Sequence, residues 1–280
     1  MTVLQALVLG TVQGLTEFLP VSSTAHLVII QNWFGLHNTY TLLVFDIVVH
    51  LGTLLSLFIY FGKEYVQQKS VVPGTLRDRF FAKSTEPVPA VPGTTIANLI
   101  WLIVIATIPT GILGLLFKKW MEESFNSLRL TVITLVINSF ILLSTYWTTM
   151  LHKKELKKWL DAFWIGVAQG ISILPGISRS GATVAAALWL KIKPEEAARF
   201  SFLIAIPAIL GATLIVLPQA IPHISSDEWP VMIAGFLSAL ISGYVAILIV
   251  FKVILRGKFH YFAFYTFILA AVTFIFTMAH

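Results

Sequence analysis

The long apolar stretches of this chain constrain its fold more than any other feature. Six of them are continuous and long enough to cross a lipid bilayer, which takes about 20 apolar residues. They cover residues 40–62, 96–117, 128–148, 197–217, 231–255 and 260–279. Only 11% of the 280 residues are charged, whereas soluble proteins have about 25% charged residues. The sequence therefore predicts an all-α, polytopic membrane protein with a single domain over residues 1–280.

The composition excludes several classes of protein. The chain has no cysteine, so disulfides, cysteine-bound metals and thiol catalysis are ruled out. A net charge of +6 would suggest a nucleic-acid partner if the protein were soluble. In a membrane protein, the same excess usually lies on the cytoplasmic loops. We therefore expect this chain to contact membrane lipids and not to bind nucleic acid.

Two further apolar segments, 3–34 and 162–190, are interrupted in the middle by Pro, Gly, Ser and Thr residues. Each is about 30 residues long, which is too long for one span. Irregular backbone at membrane depth is stable only where it is buried in protein or lines a wet cavity. We interpret each segment as a re-entrant hairpin of two half-helices. A single kinked span is the alternative.

The two interrupted segments also resemble each other. Gln13 of the first corresponds to Gln169 of the second, each inside a Gly-x-x-x-Gly pattern, and each segment continues to Leu-Pro and a serine-rich turn. Three apolar spans follow each segment. The chain thus divides into repeats 1–150 and 160–280, which must have opposite orientations because three crossings is an odd number. Inverted repeats of this kind place their interrupted helices at a shared site near the membrane midplane.

The distribution of basic residues predicts the orientation. Fifteen of the nineteen Lys and Arg residues fall on one face if each hairpin returns to its own side. These loops cover residues 63–95, 151–161, 191–199 and 252–258. Loops rich in Lys and Arg remain in the cytoplasm. We therefore expect both termini, and the opening of the first hairpin, on the outer side of the membrane.

Five ionisable residues lie within apolar segments, where a charge costs about 2.5–3.5 kcal/mol at a helix centre and usually marks function. They are Glu17, His26, Asp46, His50 and Arg179. Gln13 lies one helical turn before Glu17 and on the same face. Asp46 and His50 are also one turn apart. For that pair, polar contacts between helices and a role in chemistry are equally good explanations.

Hydroxyl residues follow both interruptions, where the second half-helix of each segment begins. The residues concerned are Ser22, Ser23 and Thr24 in the first segment, and Gly176, Ser178, Ser180 and Thr183 around Arg179 in the second. Helix N-termini bind anions, and the Arg side chain matches phosphate oxygens with two parallel N–H groups. This pattern predicts a phosphate site. The alternatives are simple helix capping by the hydroxyls and a structural ion pair of Arg179 with Glu17 or Asp46.

These motifs resemble those of a known family. The segment from Gln13 to His26 is similar to the (Glu/Gln)-x-x-x-Glu motif and adjoining Ser/His segment of the bacterial undecaprenyl-diphosphatases, the bacitracin-resistance family. The segment 174–183 resembles that family's Pro-Gly-x-Ser-Arg-Ser-x-x-Thr motif. The resemblance implies a phosphatase in the bacterial cytoplasmic membrane, acting on its outer face. Such an enzyme hydrolyses undecaprenyl diphosphate to undecaprenyl phosphate, recycling the carrier lipid of peptidoglycan synthesis, on which cell shape and bacitracin resistance depend.

The resemblance also implies roles for particular residues and a divalent cation, Mg²⁺ or Ca²⁺. The predicted catalytic residues are Glu17, Ser23, His26 and Arg179, and the predicted metal ligands are Glu17 and Gln13. The nucleophile is either Ser23, with His26 accepting its proton, or a water activated by His26 or Glu17. The substrate is a polyprenyl diphosphate lipid, and a homodimer is compatible with the sequence. The alternative function is an inverted-repeat transporter or lipid flippase that uses the same polar site.

Overall fold

The computed structural model describes residues 1–36, 40–69, 95–117, 127–150 and 154–279, and most of the loop 63–95 lies outside these ranges. Within them the chain forms ten α-helices and four 3₁₀ segments. The α-helices are α1 (Val3–Phe18), α2 (Ser23–Trp33), α3 (Tyr40–Lys69), α4 (Ile96–Leu116), α5 (Leu128–Ser144), α6 (Trp159–Ile171), α7 (Arg179–Trp189), α8 (Pro194–Ala220), α9 (Trp229–Leu255) and α10 (Phe262–Ala279).

The predicted all-α membrane architecture is confirmed. Six of the described helices are long and apolar enough to cross a membrane, and they coincide with the six predicted stretches to within a few residues. Their outward faces carry large apolar side chains, such as Trp101, Leu214 and Ile241, each more than 60% exposed. Such a surface suits lipid and not water, because soluble proteins rarely expose apolar patches of this extent.

Each interrupted segment forms two short helices. α1 and α2 have 16 and 11 residues, and α6 and α7 have 13 and 11, all shorter than a full span. The ends of the second segment meet, because the Lys154 amide donates to the Lys191 carbonyl (2.7 Å) and the Lys193 amide donates to the Lys154 carbonyl (3.0 Å). Re-entry of each pair into the membrane from one face stays a prediction.

The helices of the two predicted repeats interleave. α1 packs along α9, and α6 packs along α4, so each first half-helix lies against a span from the other half of the chain. Glycines permit this close approach: a Cβ on Gly10 would lie 2.3 Å from the Gly235 carbonyl oxygen, and one on Gly166 would lie 2.1 Å from that of Ala106. The pairing agrees with repeats 1–150 and 160–280, whose boundaries stay a prediction.

An aromatic core fixes the end of α1, where the first interruption begins. Phe18 is 1% exposed and contacts Phe202 of α8 edge-to-face, with ring centroids 5.3 Å apart. Phe202 in turn contacts Phe251 of α9 at 5.3 Å. Edge-to-face contacts of this kind add to the free energy gained by burying the rings. The residue before Phe18 is thus held in a defined place at the centre of the protein.

Candidate active site

Glu17, the residue before Phe18 in α1, is the centre of a buried polar cluster. Its side chain is 4% exposed, and its Oε2 accepts hydrogen bonds from Gln13 Nε2 (2.7 Å) and Ser23 Oγ (2.6 Å). Its Oε1 accepts a hydrogen bond from the Arg179 guanidinium. A carboxylate is stable at this depth because these donors and the guanidinium charge compensate the loss of water.

Arg179 begins α7, so the second interruption delivers its guanidinium to the end of the first. Nη2 pairs with Glu17, and the side chain is 19% exposed. The other terminal nitrogen, Nη1, is buried and has no hydrogen-bond partner among the described residues. The predicted alternative of an ion pair between Arg179 and Glu17 is therefore present, and it still leaves one guanidinium nitrogen available to an anion.

The first turn of α2 carries Ser22, Ser23 and Thr24. Ser22 is the N-cap, with a left-handed backbone (φ 65°), and its Oγ accepts a hydrogen bond from the Ala25 amide. The hydroxyl of Ser23 instead donates to Glu17. The side chain of Thr24 is half-buried. The cap and the site hydroxyl are thus adjacent residues with separate tasks.

His26 lies in the same turn, but its two ring nitrogens contact groups other than the Ser23 hydroxyl. Nδ1 is 2.8 Å from the Ser22 carbonyl oxygen, and Nε2 is 2.7 Å from the hydroxyl of Tyr265 in α10. Both ring nitrogens are therefore occupied by other groups. The carboxylate that accepts the hydrogen bond of Ser23 is that of Glu17.

Direct contacts join the two interruptions. The hydroxyls of Ser178 and Ser180 donate to the Leu19 carbonyl, at 3.4 and 3.0 Å. Asn138, a fully buried residue of α5, bridges them from the side: its Nδ2 donates to the Pro20 carbonyl (3.3 Å), and its Oδ1 accepts from the Ser178 amide (3.0 Å). The starts of α2 and α7 are thereby held together.

The remaining residues predicted to bind phosphate are engaged inside the protein. Thr183 Oγ1 donates to the Arg179 carbonyl (2.8 Å) and lies 2.6 Å from Ser201 Oγ. Gly176 has a φ of +102°, and a Cβ on it would lie 2.0 Å from Thr134 Oγ1, so only glycine fits there. Phosphate binding by these residues stays a prediction. Their observed contacts shape the turn that presents Arg179.

Asp46 and His50 occupy different places relative to the cluster. His50 Nε2 is 3.6 Å from Glu17 Oε2, and its Nδ1 is 2.6 Å from the Asp46 carbonyl oxygen. The Asp46 carboxylate accepts a hydrogen bond from Gln31 Nε2 (2.7 Å), which ties α3 to α2. His50 thus borders the cluster, while the Asp46 carboxylate joins two helices.

The residues present are compatible with a divalent cation held jointly with substrate. Among the described residues, no group of three or more His, Asp or Glu side chains forms a complete metal site. Gln13 Oε1, however, is buried without a hydrogen-bond partner in the described part of the chain, and it belongs to the side chain that contacts Glu17. One carboxylate, an amide oxygen and phosphate oxygens are a donor set that Mg²⁺ accepts.

Two residues of this region, Asn138 and Tyr265, belong to neither sequence motif and were not predicted. Asn138 is a buried amide in an otherwise apolar span, so a search that included amides beside ionisable residues would have found it. Tyr265 is one of many aromatic residues in the last helix, and nothing in its local sequence distinguishes it. Its partner His26 is 239 positions away along the chain.

The fold and this cluster together define a class: a polytopic helical membrane protein with one buried polar site made from two helix interruptions. The family model described as bacitracin resistance protein BacA matches residues 6–272. The chain belongs to this family.

Individual relatives agree with the family match over nearly full length. An undecaprenyl-diphosphatase of Carboxydothermus hydrogenoformans is 40% identical over 95% of this chain and 94% of its own length. The undecaprenyl-diphosphatase of Caldicellulosiruptor bescii is 40% identical over 97% of this chain and 96% of its own length. That of Methanosphaera stadtmanae is 35% identical over 98% of this chain and 97% of its own length. The family predicted from the two motifs is thus confirmed.

Proposed function

We propose that this chain is an integral-membrane phosphatase that hydrolyses undecaprenyl diphosphate to undecaprenyl phosphate and inorganic phosphate. The observation that carries this is the buried Arg179 Nη1, which has no partner among the described residues and lies beside the Ser23–Glu17 pair. A guanidinium nitrogen beside a hydroxyl and a carboxylate can supply the charge neutralisation, nucleophile and proton acceptor that phosphoryl transfer uses. The names of the relatives supply the substrate.

Substrate binding would begin with the terminal phosphate. Arg179 Nη1 donates to a non-bridging phosphate oxygen while Nη2 remains near Glu17. The starts of α2 and α7, joined through Leu19 and Asn138, direct two helix N-termini to the same region. Both N-termini carry partial positive charge, which favours a phosphate anion.

Ser23 is the proposed nucleophile. Its Oγ attacks the terminal phosphorus, and its proton passes to Glu17, to which it is already hydrogen-bonded. The bond from phosphorus to the bridging oxygen breaks, and its electron pair leaves with undecaprenyl phosphate. Because the bound phosphate shares the charge of Arg179, Glu17 accepts the proton more readily with substrate present.

Hydrolysis of the phosphoserine completes the reaction. A water molecule attacks phosphorus, the bond to Ser23 Oγ breaks, and the proton held by Glu17 returns to that oxygen. The proton of the water leaves with inorganic phosphate. Direct attack by a water activated by Glu17 or His26 is the competing route, and a Ser23 variant distinguishes the two.

A divalent cation, Mg²⁺ or Ca²⁺, belongs to the same proposal. Glu17 and Gln13 Oε1 would hold it, with phosphate oxygens and water as the remaining ligands. When bound, the cation would neutralise charge on the diphosphate.

We also propose that the protein lies in the bacterial cytoplasmic membrane, with both termini and the site opening on the outer side. The Thr41 hydroxyl donates to Glu228 (2.6 Å), so the starts of α3 and α9 lie at one end of the molecule. At the other end, Lys193 contacts Glu155 (3.2 Å), joining two of the loops rich in basic residues. Hydrogen bonds from Lys157 and Lys193 lower the pKa of Glu155. The basic loops thus lie at the end opposite to the starts of α3 and α9, which supports an orientation with the basic end in the cytoplasm.

Phosphate release by the purified protein tests the function. Wild-type protein in detergent is expected to release phosphate from undecaprenyl diphosphate, and Glu17→Gln is expected to abolish release. Glu155→Gln is the matched control, because Glu155 is remote from the cluster and should leave turnover unchanged. Absence of phosphate release, together with movement of labelled lipid in liposomes, would instead establish the transporter alternative.

A further inference from the structure

Tyr265, in the last helix, is bound to the imidazole of His26. Its hydroxyl is 2.7 Å from Nε2, and the two rings stack with centroids 5.7 Å apart and an interplanar angle of 7°. His26 is 8% exposed, whereas Tyr265 is 48% exposed. Tyr265 therefore covers His26 from the outside of the helix bundle.

The opposite edge of the imidazole determines which nitrogen carries the proton. Nδ1 is 2.8 Å from the Ser22 carbonyl oxygen, and a carbonyl can only accept a hydrogen bond. Nδ1 must therefore be the donor. In a neutral ring, Nε2 then has only a lone pair, and the Tyr265 hydroxyl is the donor to it.

The Ser22 carbonyl belongs to a residue with an unusual backbone conformation. Ser22 has φ 65° and ψ 89°, a left-handed conformation that is uncommon for a residue other than glycine. The next residue is Ser23, whose hydroxyl reaches Glu17. The hydrogen bond from His26 Nδ1 thus restrains the turn that directs Ser23 at its proton acceptor.

We propose that Tyr265 is a positioning residue for Ser23, acting through His26. By donating to Nε2, Tyr265 fixes the orientation of the imidazole in which Nδ1 donates to the Ser22 carbonyl. Without this partner, the Nε2 lone pair is unpaired and the ring rotates more freely. The hydrogen bond from Nδ1 to the Ser22 carbonyl then weakens. This inference rests on the proposed function, since it assigns Ser23 a role in turnover.

Tyr265→Phe tests the proposal, because phenylalanine keeps the stacked ring and removes only the hydroxyl. Tyr261→Phe is the matched control, because Tyr261 lies four residues earlier, in the 3₁₀ segment before α10, and is 54% exposed. We expect Tyr265→Phe to lower kcat about three- to tenfold, the effect of losing one hydrogen bond, with KM nearly unchanged. The control should match the wild type in both constants.

A spectroscopic measurement separates positioning from a general structural effect. ¹H–¹⁵N NMR of histidine-labelled protein, with the His26 signals assigned from a His26→Gln variant, reports how fast the Nδ1 proton exchanges with water. Wild type and Tyr261→Phe should show a slowly exchanging Nδ1 proton, and Tyr265→Phe should show faster exchange. The thermal unfolding midpoint establishes that each variant is folded.

The proposal stands only if exchange of the Nδ1 proton accelerates and kcat falls in the same variant. Unchanged exchange in Tyr265→Phe, or faster exchange with wild-type kcat, overturns it. The NMR comparison needs no turnover, so it decides the link between Tyr265 and His26 even if the wild-type protein releases no phosphate. In that case it is the proposed function that fails.

Discussion

Glu17, at the end of α1, forms a buried ion pair with Arg179, the first residue of α7, although the two are 162 positions apart in the chain. Glu17 lies at the end of one helix and Arg179 at the start of another, and both helices are too short to span a membrane. Neither interruption alone contains both charges, so the polar site exists only where the two interruptions meet.

Arg179→Lys should reduce phosphate release about 100-fold or more. Lysine keeps the positive charge but carries its three N–H donors on one nitrogen, so it lacks the two separate guanidinium nitrogens that would face Glu17 and a phosphate oxygen. Initial rates with undecaprenyl diphosphate in detergent measure the effect. Arg256→Lys, in an exposed position after α9, is the control. Near-wild-type turnover by Arg179→Lys would contradict the two-point binding of Arg179.

Ser23→Ala and Ser22→Gly should separate the nucleophile from the helix cap. Ser23→Ala removes the hydroxyl beside Glu17 and should lower turnover by about 100-fold or more. Ser22→Gly loses the cap, but glycine tolerates the left-handed backbone, so it should cost about 1 kcal/mol of stability or less and retain most activity. Turnover and unfolding midpoints measure the two effects. If Ser23→Ala remains nearly fully active, only the water route is left.

Chelation of divalent cations should abolish activity, and added Mg²⁺ should restore it. Gln13→Leu removes the unpaired buried Oε1 and should raise the Mg²⁺ concentration for half-maximal activity about tenfold or more. Gln169→Leu is the matched control, because Gln169 contacts Thr110 Oγ1 (3.1 Å) and the Ile204 carbonyl (3.3 Å) and not Glu17. Full activity after exhaustive chelation would refute a metal requirement.

Asn138→Leu should destabilise the protein by about 2 kcal/mol or more. It leaves the Pro20 carbonyl and the Ser178 amide buried without their partner, and each unpaired group costs about 1–3 kcal/mol. The midpoint of thermal unfolding in detergent should fall, and turnover should fall with it. Asn98→Leu, exposed at the start of α4, should change neither quantity. Equal midpoints for the two variants would mean that Asn138 does not hold the interruptions together.

Because the chain has no cysteine, single cysteines can report its orientation without background labelling. Thr2→Cys should react with a membrane-impermeant maleimide in intact cells, since the N-terminus is proposed to lie outside. Lys157→Cys should react only after the membrane is permeabilised, because it lies at the basic end. The reverse labelling pattern would show that the orientation is wrong.

The sequence by itself determined the six spans, the two interruptions and the family. These features depend on local properties: the length of apolar runs follows the thickness of the bilayer, and Pro, Gly and Ser interrupt helices wherever they cluster. The motif residues Glu17 and Arg179 were also recognisable, because a charge in an apolar segment is costly and therefore rare.

Only the tertiary structure decided which groups these residues contact. The sequence offered His26 as one candidate proton acceptor for Ser23. In the fold, the Ser23 hydroxyl donates to Glu17, and the two ring nitrogens of His26 contact Ser22 and Tyr265. No apolar pattern could indicate these partners, because they come from different helices. Their distances depend on how α1, α5, α7 and α10 pack around the two interruptions, and that packing is set by the whole bundle.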